Sequence, residues 1–269
     1  MRQPRRFARR LPDPRHIVIS GASRGLGAAL ARRLAAPGVT LGLLARGAGP
    51  LAAVAADCAA RGATVRQAAL DVREAAGLAA LLRDWDAAQS VDCVVANAGT
   101  SGGTAPDGTP EDQATTTAQV AVYLLGAINL VQPLLPAMLA RGHGRVVLVG
   151  SLAGFRGLPD TPGYCAAKAG LWAWGEALRA AHGPAGLSVT VAAPGFFASA
   201  MGARYHGARP FEITGEAAAA RLHRAMLRGQ GRLVFPWALG LALRLAALLP
   251  APLADWAVRR HRARIAPAP

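Results

Sequence analysis

Short apolar runs alternate along the chain with longer stretches rich in alanine and leucine. The apolar runs cover residues 16–20, 39–44, 63–69, 91–96, 145–149, 187–193 and 232–235. Runs of this length that are largely apolar are typical of parallel strands buried on both faces of a sheet. The intervening stretches predict helices over 28–36, 50–61, 74–87, 111–140, 163–182 and 215–228. The alternation predicts an α/β fold, a doubly wound parallel sheet flanked by helices.

The same pattern divides the chain into three parts. Residues 1–15 are predicted to be a basic, disordered arm, and residues 16–235 a single domain. Residues 236–269 form a C-terminal extension that is apolar at first, then basic, and largely helical in pattern. Within the domain, residues 200–214 show no clear periodicity, and we expect them to form a mobile lid over the substrate.

The C-terminal extension opens with an almost wholly apolar run. This run covers residues 237–249 and is interrupted only by Arg244. It is too short to cross a bilayer, which takes about 20 residues. Three placements stay open, namely packing against the core, contact with another subunit, and attachment to a membrane interface. Packing or contact with another subunit is favoured over the membrane.

Composition narrows the cellular setting. The 269 residues are 52% hydrophobic but only 5% aromatic, which suits tightly packed helices on a sheet. Cys58, Cys93 and Cys165 are too few and too scattered for a disulfide framework or a zinc site, so buried thiols in a reducing compartment are expected. No stretch reaches the roughly 18 uninterrupted apolar residues of a spanning helix. A cytoplasmic protein without a bound metal is predicted.

The net charge is compatible with more than one class of anionic partner. The formal net charge is +15, and many of the arginines lie near the two ends of the chain. A charge of this sign is compatible with nucleic acid or with an anionic membrane surface. Because no recognised nucleic-acid-binding motif accompanies the charge, a specific role on nucleic acid is not expected.

The sharpest chemical signal is a tyrosine followed four residues later by a lysine. Tyr164 and Lys168 fall in the predicted helix 163–182, and residues four apart lie on one helix face, one turn from each other. A nearby ammonium favours the phenolate and lowers the pKa of a phenol, so the pair predicts a proton-transfer device. Lys168 is the only lysine among the 30 lysines and arginines, which makes an incidental surface lysine a weak explanation.

A glycine-rich turn joins the first predicted strand to the first predicted helix. It reads Gly21-Ala22-Ser23-Arg24-Gly25-Leu26-Gly27. Such a turn lets the backbone approach a diphosphate, which then lies at the positive end of the helix. After the second strand, where many NAD-binding domains carry an acidic residue, the chain has Arg46. Arg24 and Arg46 are predicted to hold a 2′-phosphate, which favours NADP(H), with NAD(H) as the alternative if both are only surface arginines.

Polar and small residues follow the ends of the other predicted strands, where parallel sheets bind their ligands. Asp71 and Val72 follow the third strand, where an acidic residue can reach an adenine ring. The remaining candidates are Asn97, Ala98 and Gly99 after the fourth strand, Ser151 after the fifth, and Pro194, Gly195 and Ser199 after the sixth. We therefore expect one site at the carboxyl edge of the sheet.

In order and spacing, these motifs resemble the shorter branch of the short-chain dehydrogenase/reductase family, over approximately residues 16–235. The resemblance implies a Rossmann-type fold, a nicotinamide cofactor and reversible hydride transfer between an alcohol and a carbonyl. It also implies that Tyr164 is the general acid and base and, with Lys168, contacts the cofactor. Lys168 then lowers the pKa of that tyrosine and binds the nicotinamide ribose, while Ser151 donates a hydrogen bond to the substrate oxygen.

The resemblance assigns the cofactor contacts in the same way. It implies that Gly21, Ser23, Arg24, Gly25, Leu26 and Gly27 hold the diphosphate, and that Asp71 and Val72 contact the adenine. The segment Asn97-Ala98-Gly99 then lines the cofactor ribose, and Pro194-Gly195 lies at the nicotinamide edge. Ser199 stands where the family often has a threonine that bonds the carboxamide. Members of the family form dimers and tetramers through helices that correspond here to 110–140 and 163–183, so a homo-oligomer is expected.

One position departs from the family pattern. An asparagine commonly holds a water that connects the lysine to solvent, and the alignment places Tyr123 there. Asn129 cannot replace it, because six residues further along a helix it faces about 240° away and lies about 9 Å along the axis. Either the Tyr123 hydroxyl holds a relay water, or protons take another route.

Three functions remain after these observations. The leading one is an NADP(H)-dependent oxidoreductase acting on a small to medium, apolar alcohol or carbonyl, because the lid region carries Phe196, Phe197, Met201 and Phe211. An acyl-carrier-linked 3-ketoacyl reductase is the alternative within the enzyme class, since a basic surface suits an acidic carrier. A cofactor-binding sensor or scaffold with little turnover is the alternative from another class.

Overall fold

A seven-stranded parallel sheet forms the centre of the molecule. The computed structural model describes residues 13–259 and 262–266. The strands are β1 (His16–Ser20), β2 (Thr40–Ala45), β3 (Thr64–Ala69), β4 (Cys93–Ala96), β5 (Gly144–Val149), β6 (Leu187–Pro194), β7 (Tyr205–His206), β8 (Arg232–Phe235) and β9 (Arg264–Ile265). The sheet has the order β3-β2-β1-β4-β5-β6-β8, and every neighbouring pair is parallel. This order confirms the predicted doubly wound sheet.

Helices cover both faces of the sheet. They are α1 (Gly25–Leu34), α2 (Ala48–Ala60), α3 (Ala75–Ala88), α4 (Gln113–Val120), α5 (Gly126–Val131), α6 (Leu135–Arg141), α7 (Pro162–His182), α8 (Gly215–Leu227), α9 (Trp237–Ala246) and α10 (Ala251–Arg259). One apolar core lies between the sheet and α1, α2 and α8, and a second lies between the sheet and α3, α5 and α7. Burial on both faces explains why β1, β2, β4, β5 and β6 are largely apolar, whereas the edge strand β3 is partly exposed and contains Arg66 and Gln67.

The predicted strand boundaries agree with the observed ones to within two residues, and the long helix predicted over 111–140, with a bend at Pro133 and Pro136, is interrupted in two places. Three helices, α4, α5 and α6, occupy this stretch, and a π-helical turn, Ala121–Leu125, joins the first two. In that turn the Gly126 N–H donates to the carbonyl of Ala121, five residues earlier. A π turn inserts one extra residue and is common at functional sites. It changes the direction of the side chains beside it, including that of Tyr123.

By length and composition alone, one helical stretch of the described residues, 113–131, could cross a membrane. Several of its polar side chains form hydrogen bonds within the protein, among them Gln119 and Asn129. Gln119 is buried and donates to Glu111 at 3.0 Å, and Asn129 donates to the Val72 carbonyl at 2.9 Å. The stretch is therefore a layer of the packed fold.

The three cysteines are free and buried, as the sequence predicts. Burial raises the pKa of Cys58 and of Cys165, and it raises the pKa of Cys93 to about 12. A thiol that stays protonated is a poor nucleophile and a poor metal ligand. The cysteines therefore act as small core residues.

The C-terminal extension folds back onto the domain. After α9 and α10, strand β9 pairs antiparallel with β7, which lies inside the segment predicted to be a mobile lid. The Ile265 N–H donates to the Thr104 carbonyl, and the Ala266 N–H donates to the Arg204 carbonyl, at 2.8 and 2.9 Å. Sequence patterns show no such pairing because its partners lie far apart in the chain. The predicted basic arm lies almost entirely outside the described residues.

Candidate active site

The glycine turn adopts a conformation that requires glycine. Gly21 has a φ of +65°, and a Cβ there would lie 2.8 Å from the Cα of Ala98. A Cβ on Gly27 would overlap the carbonyl oxygen of Gly21. These two positions bring α1 close against the end of β1. Because α1 starts at Gly25 without a side-chain cap, its first N–H groups are available to an anion.

Asn97 braces this turn from the neighbouring strand end. Its side-chain amide donates to the carbonyls of Ser20 and Gly21 at 3.1 and 3.2 Å. The Ser20 hydroxyl in turn accepts from the N–H groups of Asn97 and Ala98, both at 3.1 Å. The predicted segment Asn97-Ala98-Gly99 therefore lies beside the glycine turn, and the asparagine side chain serves to fix the turn in place.

The residues predicted to surround the adenosine end of the cofactor differ in whether their side chains are exposed and free to bind a ligand. Arg24 and Arg46 are exposed. Within the described part of the chain, neither guanidinium makes a hydrogen bond or a salt bridge, although Arg46 is close enough to Asp71 to lower its pKa. The Asp71 carboxylate is held by Arg73 in a bidentate pair with contacts of 2.7–3.1 Å. Val72 and Leu26 are buried, so only the backbone of Leu26 can reach a diphosphate.

Ser151, Tyr164 and Lys168 meet at the carboxyl edge of the sheet. Ser151 follows β5 by two residues, and its hydroxyl accepts from the Ala153 N–H at 3.2 Å. Tyr164 lies in the first turn of α7, and Lys168 lies one turn further along. The Lys168 ammonium donates to the Val149 carbonyl at 2.6 Å. Strand β5 and helix α7 together position the trio that the sequence predicts.

Burial shifts the pKa values of Tyr164 and Lys168. It raises the pKa of Tyr164 to about 12, although a hydrogen bond with Ser151 acts in the opposite direction. It lowers the pKa of Lys168 to about 7. The sequence predicts instead that Lys168 lowers the pKa of Tyr164. The difference has a physical reason, because the ammonium lies 5.6 Å from the Tyr164 ring centroid and burial favours its neutral form.

Tyr123 places its ring, and not its hydroxyl, against the lysine. The Lys168 nitrogen lies 3.9 Å from the Tyr123 ring centroid, and the rings of Tyr123 and Tyr164 meet edge to face at 5.2 Å. The hydroxyl points away and donates to the Thr100 carbonyl. A cation over an aromatic face is attracted by the ring quadrupole. Tyr123 therefore supplies a contact that favours the charged lysine, where the family pattern has an asparagine.

The segment after β6 lies at the same edge of the sheet as the glycine turn. Pro194 ends β6, and the Gly195 N–H donates to the Phe235 carbonyl at 2.7 Å. The Ser199 hydroxyl accepts from the Gly202 N–H at 2.9 Å, and Ser199 lies directly opposite Gly25 of the glycine turn. The structure thus brings the predicted residues after β6 to the same edge as the glycine turn.

Asp160 is a residue of the site region that sequence reasoning missed. It is 3% exposed and lies four residues before Tyr164. Its carboxylate accepts from Arg262, from the Ala263 N–H at 2.8 Å and from Arg264 at 3.0 Å. These contacts hold residues 262–264 next to the start of α7, the helix that carries Tyr164 and Lys168. The only signal in the sequence is that Asp160 is an acidic residue in a chain with few of them. No sequence pattern indicates that it pairs with Arg262 and Arg264, about a hundred residues later.

Replacing Lys168 with methionine is expected to remove a pH dependence of stability from the cofactor-free protein. The pKa of Lys168 is about 7 in the folded protein and close to the ordinary lysine value of 10.5 in the unfolded chain, so between these values only the unfolded chain binds the proton. The free energy of unfolding therefore rises with pH in this window, by up to about 1.4 kcal/mol per pH unit. Below pH 7 both states are protonated, and the full cost of burying the charge remains.

Urea denaturation of the wild type and of Lys168→Met between about pH 7 and pH 9.5 measures this effect. The difference between the two proteins isolates Lys168, because the cysteines and tyrosines titrate alike in both. A difference that stays constant with pH would contradict a lowered lysine pKa.

Comparison with known proteins agrees with this geometry. A family model described as short chain dehydrogenase matches residues 15–209. The chain is 37% identical over 249 residues to an uncharacterized oxidoreductase of Myxococcus xanthus (strain DK1622), which covers 92% of this chain and 98% of that protein. It is 35% identical over 186 residues to cis-4-hydroxycyclohexanecarboxylate dehydrogenase of Sinomonas cyclohexanicum, which covers 68% of this chain and 73% of that protein.

Among solved structures, a metagenomic short-chain oxidoreductase in complex with NADP superposes with a TM-score of 0.69 at 28% identity, over 82% of this chain and 94% of that one. The family match spans most of the chain, and the Myxococcus relative aligns over nearly all of both proteins. The protein belongs to the short-chain dehydrogenase/reductase family and is an oxidoreductase that interconverts an alcohol and a carbonyl group with NAD(P).

Proposed function

We propose that the protein is an NADP(H)-dependent reductase or dehydrogenase for a small to medium, apolar carbonyl or alcohol. The observation that carries the proposal is the meeting of Ser151, Tyr164 and Lys168 beside an uncapped helix N-terminus. The glycine turn can hold a diphosphate because no side chain fills it. We assign residues 16–235 to the catalytic domain and residues 236–269 to an extension that packs on it.

The bound nicotinamide supplies or accepts the hydride, and the protein supplies the proton. Because its pKa is about 12, Tyr164 is protonated at neutral pH and is ready to donate its proton to a carbonyl oxygen. Ser151 donates a hydrogen bond to the same oxygen. Lys168, held by the Val149 carbonyl and the Tyr123 ring, is the residue that would hold the nicotinamide ribose. In the oxidation direction the same groups act in reverse.

Preference for NADP(H) rests on Arg24 and Arg46. Both are exposed beside the glycine turn, and within the described ranges no acidic side chain is paired with either. The structural relative determined with NADP is consistent with this choice. A 2′-phosphate between two guanidiniums gains charge-assisted hydrogen bonds that a 2′-hydroxyl does not. In that arrangement the arginines, and not Asp71, set the specificity.

An apolar substrate is supported by the segment after β6. Met201 is half-buried and approaches the Tyr123 hydroxyl, with its sulfur 3.6 Å away. Phe196 is also half-buried, whereas Phe197 packs against the core and Phe211 is exposed. Met201 and Phe196 are therefore the better candidates for substrate contact. We place the enzyme in the cytoplasm, as a homo-oligomer formed through α4, α5 and α7.

A spectrophotometric panel tests the proposal. Purified protein is mixed with NADPH or NADH and with cyclic ketones, aliphatic aldehydes, quinones or a 3-oxoacyl thioester, and the loss of reduced cofactor is followed. We expect turnover of a cyclic or aliphatic carbonyl with NADPH preferred. Turnover of the thioester alone would favour the ketoacyl reductase. Tight NADPH binding without any turnover would favour the sensor or scaffold.

A further inference from the structure

Helices α9 and α10 expose a row of large apolar side chains. The tail surface consists of Trp237, Leu241, Leu245, Leu248, Leu249, Leu253 and Trp256. Among the described residues these are seven of the nine exposed large hydrophobic side chains, and Leu248, at the turn between the two helices, is 82% exposed. A contiguous apolar surface of this kind marks an interaction site.

The opposite side of both helices is fixed to the domain. Gly240 of α9 packs against Val234 and Leu152, and Ala254 and Val258 of α10 are buried. Arg156 forms a salt bridge with Asp255. The two helices therefore have a buried side and an exposed side, and the exposed side is as apolar as the buried one.

Arginines outnumber acidic residues in the C-terminal part of the chain, although Arg232 pairs with Glu176, and Arg262 and Arg264 pair with Asp160. Residues 217–269 contain nine arginines and a single acidic residue, Asp255, which Arg156 neutralises. Arg221 lies next to Phe235, just before α9, and Arg259 is exposed at the end of α10. Arg244, in the middle, lies 4.2 Å from the Phe155 ring centroid. Arginines are thus present before, within and after the apolar row.

We propose that the tail surface docks this enzyme on an anionic lipid bilayer, with α9 and α10 lying in the interface. Leucines enter the acyl boundary, tryptophans prefer the headgroup level, and arginines face the acidic headgroups. The cytoplasmic leaflet carries the negative charge that this arrangement needs. A second copy of the chain fits less well, because a symmetric contact brings the two arginine-rich surfaces together.

This placement also orients the catalytic edge. Helix α9 packs on residues 152–156, which directly follow Ser151. Helix α9 is therefore close in space to the segment that begins at Ser151. Docking through the tail surface holds the enzyme where apolar substrates accumulate. The docking itself does not depend on which substrate is used.

Sedimentation with vesicles tests the docking. The full chain, at low salt, is mixed with vesicles of phosphatidylcholine or of phosphatidylcholine with one third phosphatidylglycerol. We expect it to sediment only with the anionic vesicles and to be released at about 1 M NaCl. Leu248→Ser is expected to reduce the partition coefficient about tenfold. Leu125→Ser makes the same change at a half-exposed leucine outside the tail surface and is expected to leave binding unchanged.

Two outcomes would overturn the proposal. In one, the wild type stays in the supernatant with anionic vesicles, or Leu248→Ser binds as well as the wild type. In the other, vesicles are not bound and light scattering shows that Leu248→Ser lowers the mass of the assembly, which would assign the tail surface to a second copy.

Discussion

Tyr164→Phe is expected to lower kcat by about 10²- to 10⁴-fold, the range that a positioned general acid contributes. The change removes one hydroxyl and keeps the ring, so the edge-to-face contact with Tyr123 persists. Folding and cofactor binding should therefore be retained. Steady-state kinetics with the best substrate of the panel measures the loss, and fluorescence titration with NADPH measures the binding.

Tyr205→Phe is the matched control, because it removes the same group from a tyrosine outside the catalytic trio. It should retain nearly full kcat. If Tyr164→Phe also kept nearly full kcat, the assignment of the acid would be wrong, and the proton would have to come from Ser151 or from solvent. A loss of NADPH binding in Tyr164→Phe would instead indicate a structural role.

The sheet and the trio could be predicted because their signals are local. A buried parallel strand is apolar at nearly every position, which identified β1 to β6 and β8 with small errors at the ends. Tyr164 and Lys168 are separated by one helical turn, and that spacing fixes their common face. Strand ends in a parallel sheet meet at one edge, so Ser151 could be placed near them without any knowledge of distance.

The parts that could not be predicted depend on contacts between distant residues or on a small irregularity. The π turn adds a single residue to a helix, and the glycine that follows it, Gly126, does not by itself distinguish it from a regular helix. Alignment with the family pattern singled out Tyr123 but gave no indication that its ring faces Lys168. Asp160 and Arg264 are 104 residues apart, and a charged pair at that separation has no sequence signature.

The protonation states of Tyr164 and Lys168 could not be predicted from the sequence either. A tyrosine and a lysine one turn apart suggest mutual stabilisation of their charged forms, but burial disfavours both charges. Here burial is the first cause of both pKa shifts. At neutral pH Tyr164 therefore carries its proton, as a proton donor must, and the spacing of the two residues alone does not indicate this.

Replacing both Arg24 and Arg46 with alanine is expected to weaken NADPH binding by about 10²- to 10⁴-fold, since each charge-assisted hydrogen bond contributes roughly 1.5–3 kcal/mol. NADH binding should change little, because a 2′-hydroxyl makes no such contact. Both arginines are exposed, and α1 takes no side-chain cap from Arg24, so the variant should fold. Calorimetric titration of wild type and variant with each cofactor measures the ratio.

Arg61→Ala is the control, because Arg61 is an exposed arginine at the end of α2, on the opposite edge of the sheet from the glycine turn. It changes the net charge without touching the site, so it separates a general electrostatic effect from specific recognition. Equal weakening of NADPH and NADH in the double variant would mean that the arginines attract the diphosphate. Selective weakening of NADPH binding would mean that the arginines recognise the 2′-phosphate. The presence of an arginine at position 46, where many NAD-binding domains have an acidic residue, would then explain the cofactor choice.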